Sequence, residues 1–158
     1  MQQRAIIALR VCLVALMLGL LVAQILIIPL LADEAAREAP EVSYLRYPYT
    51  VAAVAVVACV QLAVVCVWRL LGFVRAGSIF SRRALTWVSR IIWSGVAATA
   101  LLVAMFVHLS AINAMPPFIF LLLTGGTVGG ASLALLLVVM RALLERATEL
   151  ETDLSEVI

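Results

Sequence analysis

The stretch with the most chemical promise is Thr124-Gly125-Gly126-Thr127-Val128-Gly129-Gly130. Glycine-rich runs cradle phosphates when they form a loop that closes on Gly-Lys-Ser/Thr. That ending is missing, and the run lies inside an apolar stretch. The glycines instead make two overlapping small-xxx-small steps, Gly125 with Gly129 and Gly126 with Gly130. Glycine at that spacing lets a neighbouring helix backbone approach closely. Three readings stay open: packing inside a helix bundle, a homo-oligomer seam, or a flexible gating point. Thr124, Thr127 and Ser132 are expected to bond back to their own helix or across to a neighbour.

Other reactive side chains are sparse. Cys12, Cys59 and Cys66 all lie in apolar runs, and none forms a CxxC. Cys59 and Cys66 share a helix face but sit too far apart on one straight helix to bridge. Buried thiols acting as small hydrophobes are the expectation, rather than a redox pair. His108 is the single histidine. One imidazole builds neither a haem pair nor a metal site, so an interfacial position or a helix–helix hydrogen bond is expected. Gln24 and Gln61 are expected to hydrogen-bond between helices, and Pro29 to kink the first helix near its outer end. No Asp or Glu lies within an apolar run, which counts against a proton-coupled exchanger. With no Ser/His/Asp constellation either, an enzymatic reading has no residues to rest on. No cofactor and no metal are expected.

These sparse groups must be positioned by elements made mostly of hydrocarbon. The chain has 158 residues, 66% of them hydrophobic, with a mean hydropathy of +1.20. Soluble domains are roughly 45–50% apolar. The excess cannot fit inside one small core, so lipid must solvate much of the surface. The net charge of +2 is too small to argue for direct nucleic-acid binding. All 11 basic residues are arginine, a choice read as a coding bias of the source rather than of the function.

Uncharged runs cover 11–32, 47–68 and 91–140. A spanning helix needs about 20 apolar residues, so the third run must fold back on itself. The break falls at Asn113-Ala114-Met115-Pro116-Pro117, since proline suits a first helical turn and not an interior. The expected fold is therefore all-α, a polytopic membrane protein with four transmembrane helices in an antiparallel bundle. The helices are placed at about 5–32, 48–74, 82–113 and 116–140, within a membrane domain over 1–140. The first could instead be a secretory signal, but its run is too long and no A-x-A site closes it.

Arginine placement sets the expected orientation. Arg4, Arg10, Arg69, Arg75, Arg82, Arg83, Arg90, Arg141 and Arg146 fall on one side; Arg37 and Arg46 fall on the other, among Asp33, Glu34, Glu38 and Glu41. The first side is expected to be cytoplasmic and to hold both termini. Tyr44, Tyr47 and Tyr49 would form the outer interfacial belt, with Trp68 and Trp87 near the inner one. Arg10, Arg69 and Arg90 would snorkel at inner helix ends.

Two inner segments could contact partners. Arg75-Ala-Gly-Ser-Ile-Phe80-Ser-Arg82-Arg83 joins the second and third helices. Gly77 would break the second helix, Ser81 would cap the third, and Phe80 with Leu85 would staple it. Its arginines suit anionic headgroups, or a docking partner. The tail 141–158 carries Leu143, Ala147, Leu150, Leu154 and Val157 on one helical stripe. Glu145, Glu149, Glu151, Asp153 and Glu156 outnumber Arg141 and Arg146. Such an acidic amphipathic helix either docks under its own bundle, against Arg75, Arg82 and Arg83, or grips a cytoplasmic partner.

The layout resembles a bacterial family of small four-helix membrane proteins of unknown function. Two local matches carry the resemblance: Gly77-Ser78-Ile79-Phe80-Ser81, and the close Ala147-Thr148-Glu149-Leu150-Glu151 with Asp153-Leu154. Here Arg82-Arg83 replace the family's usual Asn/Glu after the Ser/Thr. Many members are encoded beside a Cro/cI-type helix-turn-helix regulator. The resemblance implies a multi-pass protein of the bacterial plasma membrane that holds or modulates such a regulator. In that event the docking face would comprise Arg75, Phe80, Arg82, Arg83, Glu145, Glu149, Leu150, Glu151, Asp153 and Leu154. An accessory subunit of a larger membrane complex, using the glycine face, stays open, as does a small transporter or lipophilic-ligand sensor.

Overall fold

The computed structural model describes residues 2–38, 40–75, 82–112 and 117–156. Among these, every regular element is helical. The first span is built of α1 (Gln2–Val22), a π-helical segment (Ala23–Ile27) and α2 (Ile28–Glu38). A 3-10 helix over Pro40–Leu45 leads into α3 (Arg46–Arg75), the second span. The third span is α4 (Arg82–Ala111) and the fourth is α5 (Pro117–Glu156). Four helices are long and apolar enough to cross a membrane: Ile6–Arg37, Ser43–Phe73, Leu85–Ala111 and Pro117–Glu149. The expected all-α, four-span membrane fold is the one observed.

Element boundaries differ from expectation in informative ways. The first helix does not stop at the end of its apolar run; it carries on through Asp33 and Glu34 to Glu38. Pro29 sits inside it, immediately after the π-helical turn. A proline ring clashes with the carbonyl four residues back and supplies no N–H. Widening the preceding turn relieves that clash, and the Ile28 N–H reaches back to the Ala23 carbonyl in the π register. The expected kink is thus a wide turn. The segments containing Gly77, Phe80, Ser81 and Asn113–Pro116 lie outside the described residues.

Packing follows chain order. The first span lies on α3, α3 on α4, and α4 on α5, and extensive contact among the described residues joins only these consecutive spans. Burial has the same gradient: the most apolar window is 6% buried in the first and fourth spans and 11% in the second and third. The molecule is therefore an antiparallel bundle laid out as a row. Its buried line runs through the middle pair, with Val64, Cys66 and Leu71 on α3 and Val88, Ile92, Ala98 and Leu109 on α4. Leu13 and Leu123 join it from the flanking spans. Large apolar side chains such as Trp93, Leu121 and Leu135 stay exposed, which water would penalise and hydrocarbon does not.

Candidate functional site

Polar side chains inside the membrane are costly and mark the places where helices meet or ligands bind. The structure arranges them at three levels.

At the acidic end, Asp33 of α2 forms an ion pair with Arg46, the first residue of α3. Nearby, the Tyr49 hydroxyl and His108 Nδ1 share a 2.5 Å hydrogen bond between α3 and α4, with ring centroids 6.0 Å apart. His108 therefore serves as a helix–helix contact. Tyr44 and Tyr47 remain exposed, as an interfacial belt requires.

At mid-depth, Gln61 Nε2 donates to Gln24 Oε1 at 2.8 Å, and Gln24 Nε2 donates to the Val54 carbonyl at 3.2 Å. Gln24 lies in the π-helical turn. The two carboxamides clip the first span to the second, the interhelical use expected of them. Two hydroxyls of α4 are satisfied on their own helix: Thr99 Oγ1 donates to the Gly95 carbonyl at 2.9 Å and Ser94 Oγ to the Ile91 carbonyl at 2.8 Å. Thr124 and Thr127 differ from expectation, because both Oγ1 atoms are buried without a hydrogen-bond partner.

At the arginine-rich end, guanidiniums lie over indoles. Arg10 of α1 sits 5.3 Å from the Trp68 ring of α3. Arg69 of α3 and Arg90 of α4 sit 5.7 and 4.5 Å from the Trp87 ring of α4. Cation–π attraction thus ties three spans together at one depth. Charge and spacing alone placed these residues near one interface but gave no signal of their pairing. The Asp33–Arg46 ion pair was likewise not expected.

The four glycines of α5 divide into two kinds. A Cβ on Gly130 would meet Thr99 Oγ1 at 2.6 Å, and one on Gly126 would meet Leu102 Cδ1 at 3.2 Å. These two face α4 and permit close approach. Gly125 and Gly129 have nothing within 4 Å of such a Cβ and open away from the chain's own helices.

The tail is the continuation of α5, without interruption, to Glu156. Arg141 pairs with Glu145 one turn on, at 2.9 Å. Leu143 is exposed, and Glu149 is exposed one turn beyond Glu145. No ion pair among the described residues joins the tail to another helix. The side chains of Arg75, Arg82, Arg83, Leu150, Glu151, Asp153 and Leu154 lie outside the described set.

Cys66 is fully buried, Cys59 partly buried and Cys12 exposed, and all three are free thiols. Among the described residues, no group of three or more His, Cys, Asp or Glu side chains could hold a metal ion.

A family model described as a protein of unknown function, DUF2975, matches residues 30–158. No curated protein and no solved structure matches the chain.

Proposed function

Because the chain belongs to the DUF2975 family of proteins of unknown function, we propose a role from its geometry: a non-enzymatic membrane anchor that captures a cytoplasmic regulator. The single observation that carries this reading is the unbroken α5. Its 40 residues extend about 60 Å at 1.5 Å per residue, against a hydrocarbon layer of about 30 Å. Roughly half the helix therefore projects from the bilayer as a rigid, acidic arm. Arginine asymmetry supports placing that arm, with both termini of the chain, in the cytoplasm of a bacterial cell.

An acidic helix suits a partner with a basic surface. A small helix-turn-helix regulator is basic where it meets DNA, so the arm would compete with DNA for that face and silence the regulator. The test is a crosslinked pull-down from native membranes, comparing the full chain with one ending at Arg146. Recovery of a small soluble regulator that disappears with the tail supports the reading. Recovery unchanged by truncation, or by charge reversal of Glu145, Glu149 and Glu151, removes the arm from the role.

A second reading rests on Gly125 and Gly129. Their open side gives a second membrane helix room to pack closely, as in a homo-oligomer or a larger complex. A native-mass measurement on mild-detergent extracts distinguishes it by showing a stoichiometric membrane partner.

A further inference from the structure

Three arginines at the arginine-rich end make no ion pair among the described residues: Arg10, Arg69 and Arg90. The sequence explains why. No Asp or Glu lies before Asp33, and none lies between Glu41 and Glu145. The first three spans thus bring no carboxylate of their own to this end. The guanidiniums are nevertheless held in place. Trp87 fixes Arg69 and Arg90 around one ring, at 5.7 and 4.5 Å, and Trp68 fixes Arg10 at 5.3 Å. Arg10 Nε is buried with no hydrogen-bond partner. A ring face satisfies part of a cation's charge but accepts none of the in-plane N–H bonds of a guanidinium.

We infer that Arg69 and Arg90, oriented by Trp87, form a binding site for the phosphodiester headgroup of an anionic phospholipid, with Arg10 on Trp68 as a further positive charge at the same end. Three observations converge on that ligand. These arginines lie within a few residues of the ends of three consecutive candidate spans, where a bilayer crossed by those helices would bring its headgroups. Trp68, Arg69 and Arg90 are exposed, so a lipid can reach them without displacing a helix. Guanidinium forks match phosphate oxygens in a bidentate geometry. The lack of carboxylates sets the preference among lipids. A zwitterionic headgroup brings an ammonium that finds no acid on these three spans at this end, whereas phosphatidylglycerol and cardiolipin bring only negative charge.

The test uses the full chain purified in mild detergent, with native mass spectrometry and thermal unfolding as readouts. Phosphatidylglycerol, cardiolipin, phosphatidylethanolamine and inorganic phosphate are added separately. The expected result is a retained adduct and a raised melting temperature with the two anionic lipids, and neither with phosphatidylethanolamine or inorganic phosphate. The R69Q/R90Q double variant is expected to lose both effects, while R146Q keeps them. Equal retention of phosphatidylethanolamine, an equal shift from inorganic phosphate, or adducts that survive in R69Q/R90Q would overturn the site. If the double variant does not fold, a photo-crosslinkable phosphatidylglycerol on the unmodified chain decides the matter. Crosslinks at the ends of α3 and α4 around Arg69 and Arg90 support the site; crosslinks confined to the acidic end overturn it.

Discussion

The seam between the first and second spans and the seam between the third and fourth are built on opposite principles. The first is fastened at points: Arg10 on Trp68, Gln24 on Val54 and Gln61, Asp33 on Arg46. The second is fastened by approach: Gly126 under Leu102, Gly130 under Thr99, and Phe106 against Phe120 at 5.8 Å. Lipid competes poorly with either, but for different reasons. It offers no hydrogen-bond partner to a carboxamide, and it cannot fill a glycine groove as tightly as a helix does. Point fastenings fail one at a time, whereas a close-packed groove fails as a unit.

The sharpest way to break this contrast is at Gly130. Gly130→Ala drives a methyl group into Thr99, whose hydroxyl is already engaged with the Gly95 carbonyl. The expected cost is about 1–3 kcal/mol, typical of overpacking, and is read as a lower unfolding midpoint in detergent. Gln24→Leu removes two hydrogen bonds at once and is expected to cost about 1 kcal/mol, since such bonds average about 0.6 kcal/mol in membranes. A double-mutant cycle with Gln61→Leu should show coupling between them; additive losses would mean that the carboxamides act separately. Gly129→Ala, one position from Gly130, meets nothing within 4 Å. It should be neutral or stabilise the isolated chain by about 0.5 kcal/mol through helix propensity. A loss as large as that of Gly130→Ala would show that Gly129 is covered by another helix in the assembled protein. Asp33→Asn should have the smallest effect, about 0–1 kcal/mol and fading with salt, because the pair is 46% and 42% exposed.

The spans were legible because lipid-facing helices must be apolar along about 20 residues, a pattern that a small water-soluble domain does not tolerate. The uses of Gln24, Gln61 and His108 were legible for a related reason. A polar group at depth must find a partner on a neighbouring helix. Which partner it finds depends on azimuth and register, and composition carries neither. For the same reason, the division of the glycines into Gly126 with Gly130 and Gly125 with Gly129 becomes visible only once α4 is in place. The π-helical turn escaped notice because Pro29 reads as a kink from sequence, and the wider register before it shows only in the Ile28 N–H bonding to the Ala23 carbonyl.

The row arrangement has a further consequence, in the plane of the bilayer. Four helices in a closed square present a compact disc to the lipids, whereas four in a row present a short plank with two long sides and two ends. The plank has more perimeter per helix, so its boundary shell holds more lipid molecules. Its energy thus responds more steeply to changes in bilayer thickness or tension than that of a compact disc with the same helices. Neighbouring proteins also meet two distinct ends, one formed by the first span and the other by α5 with Gly125 and Gly129 open on it, so lateral encounters have a direction.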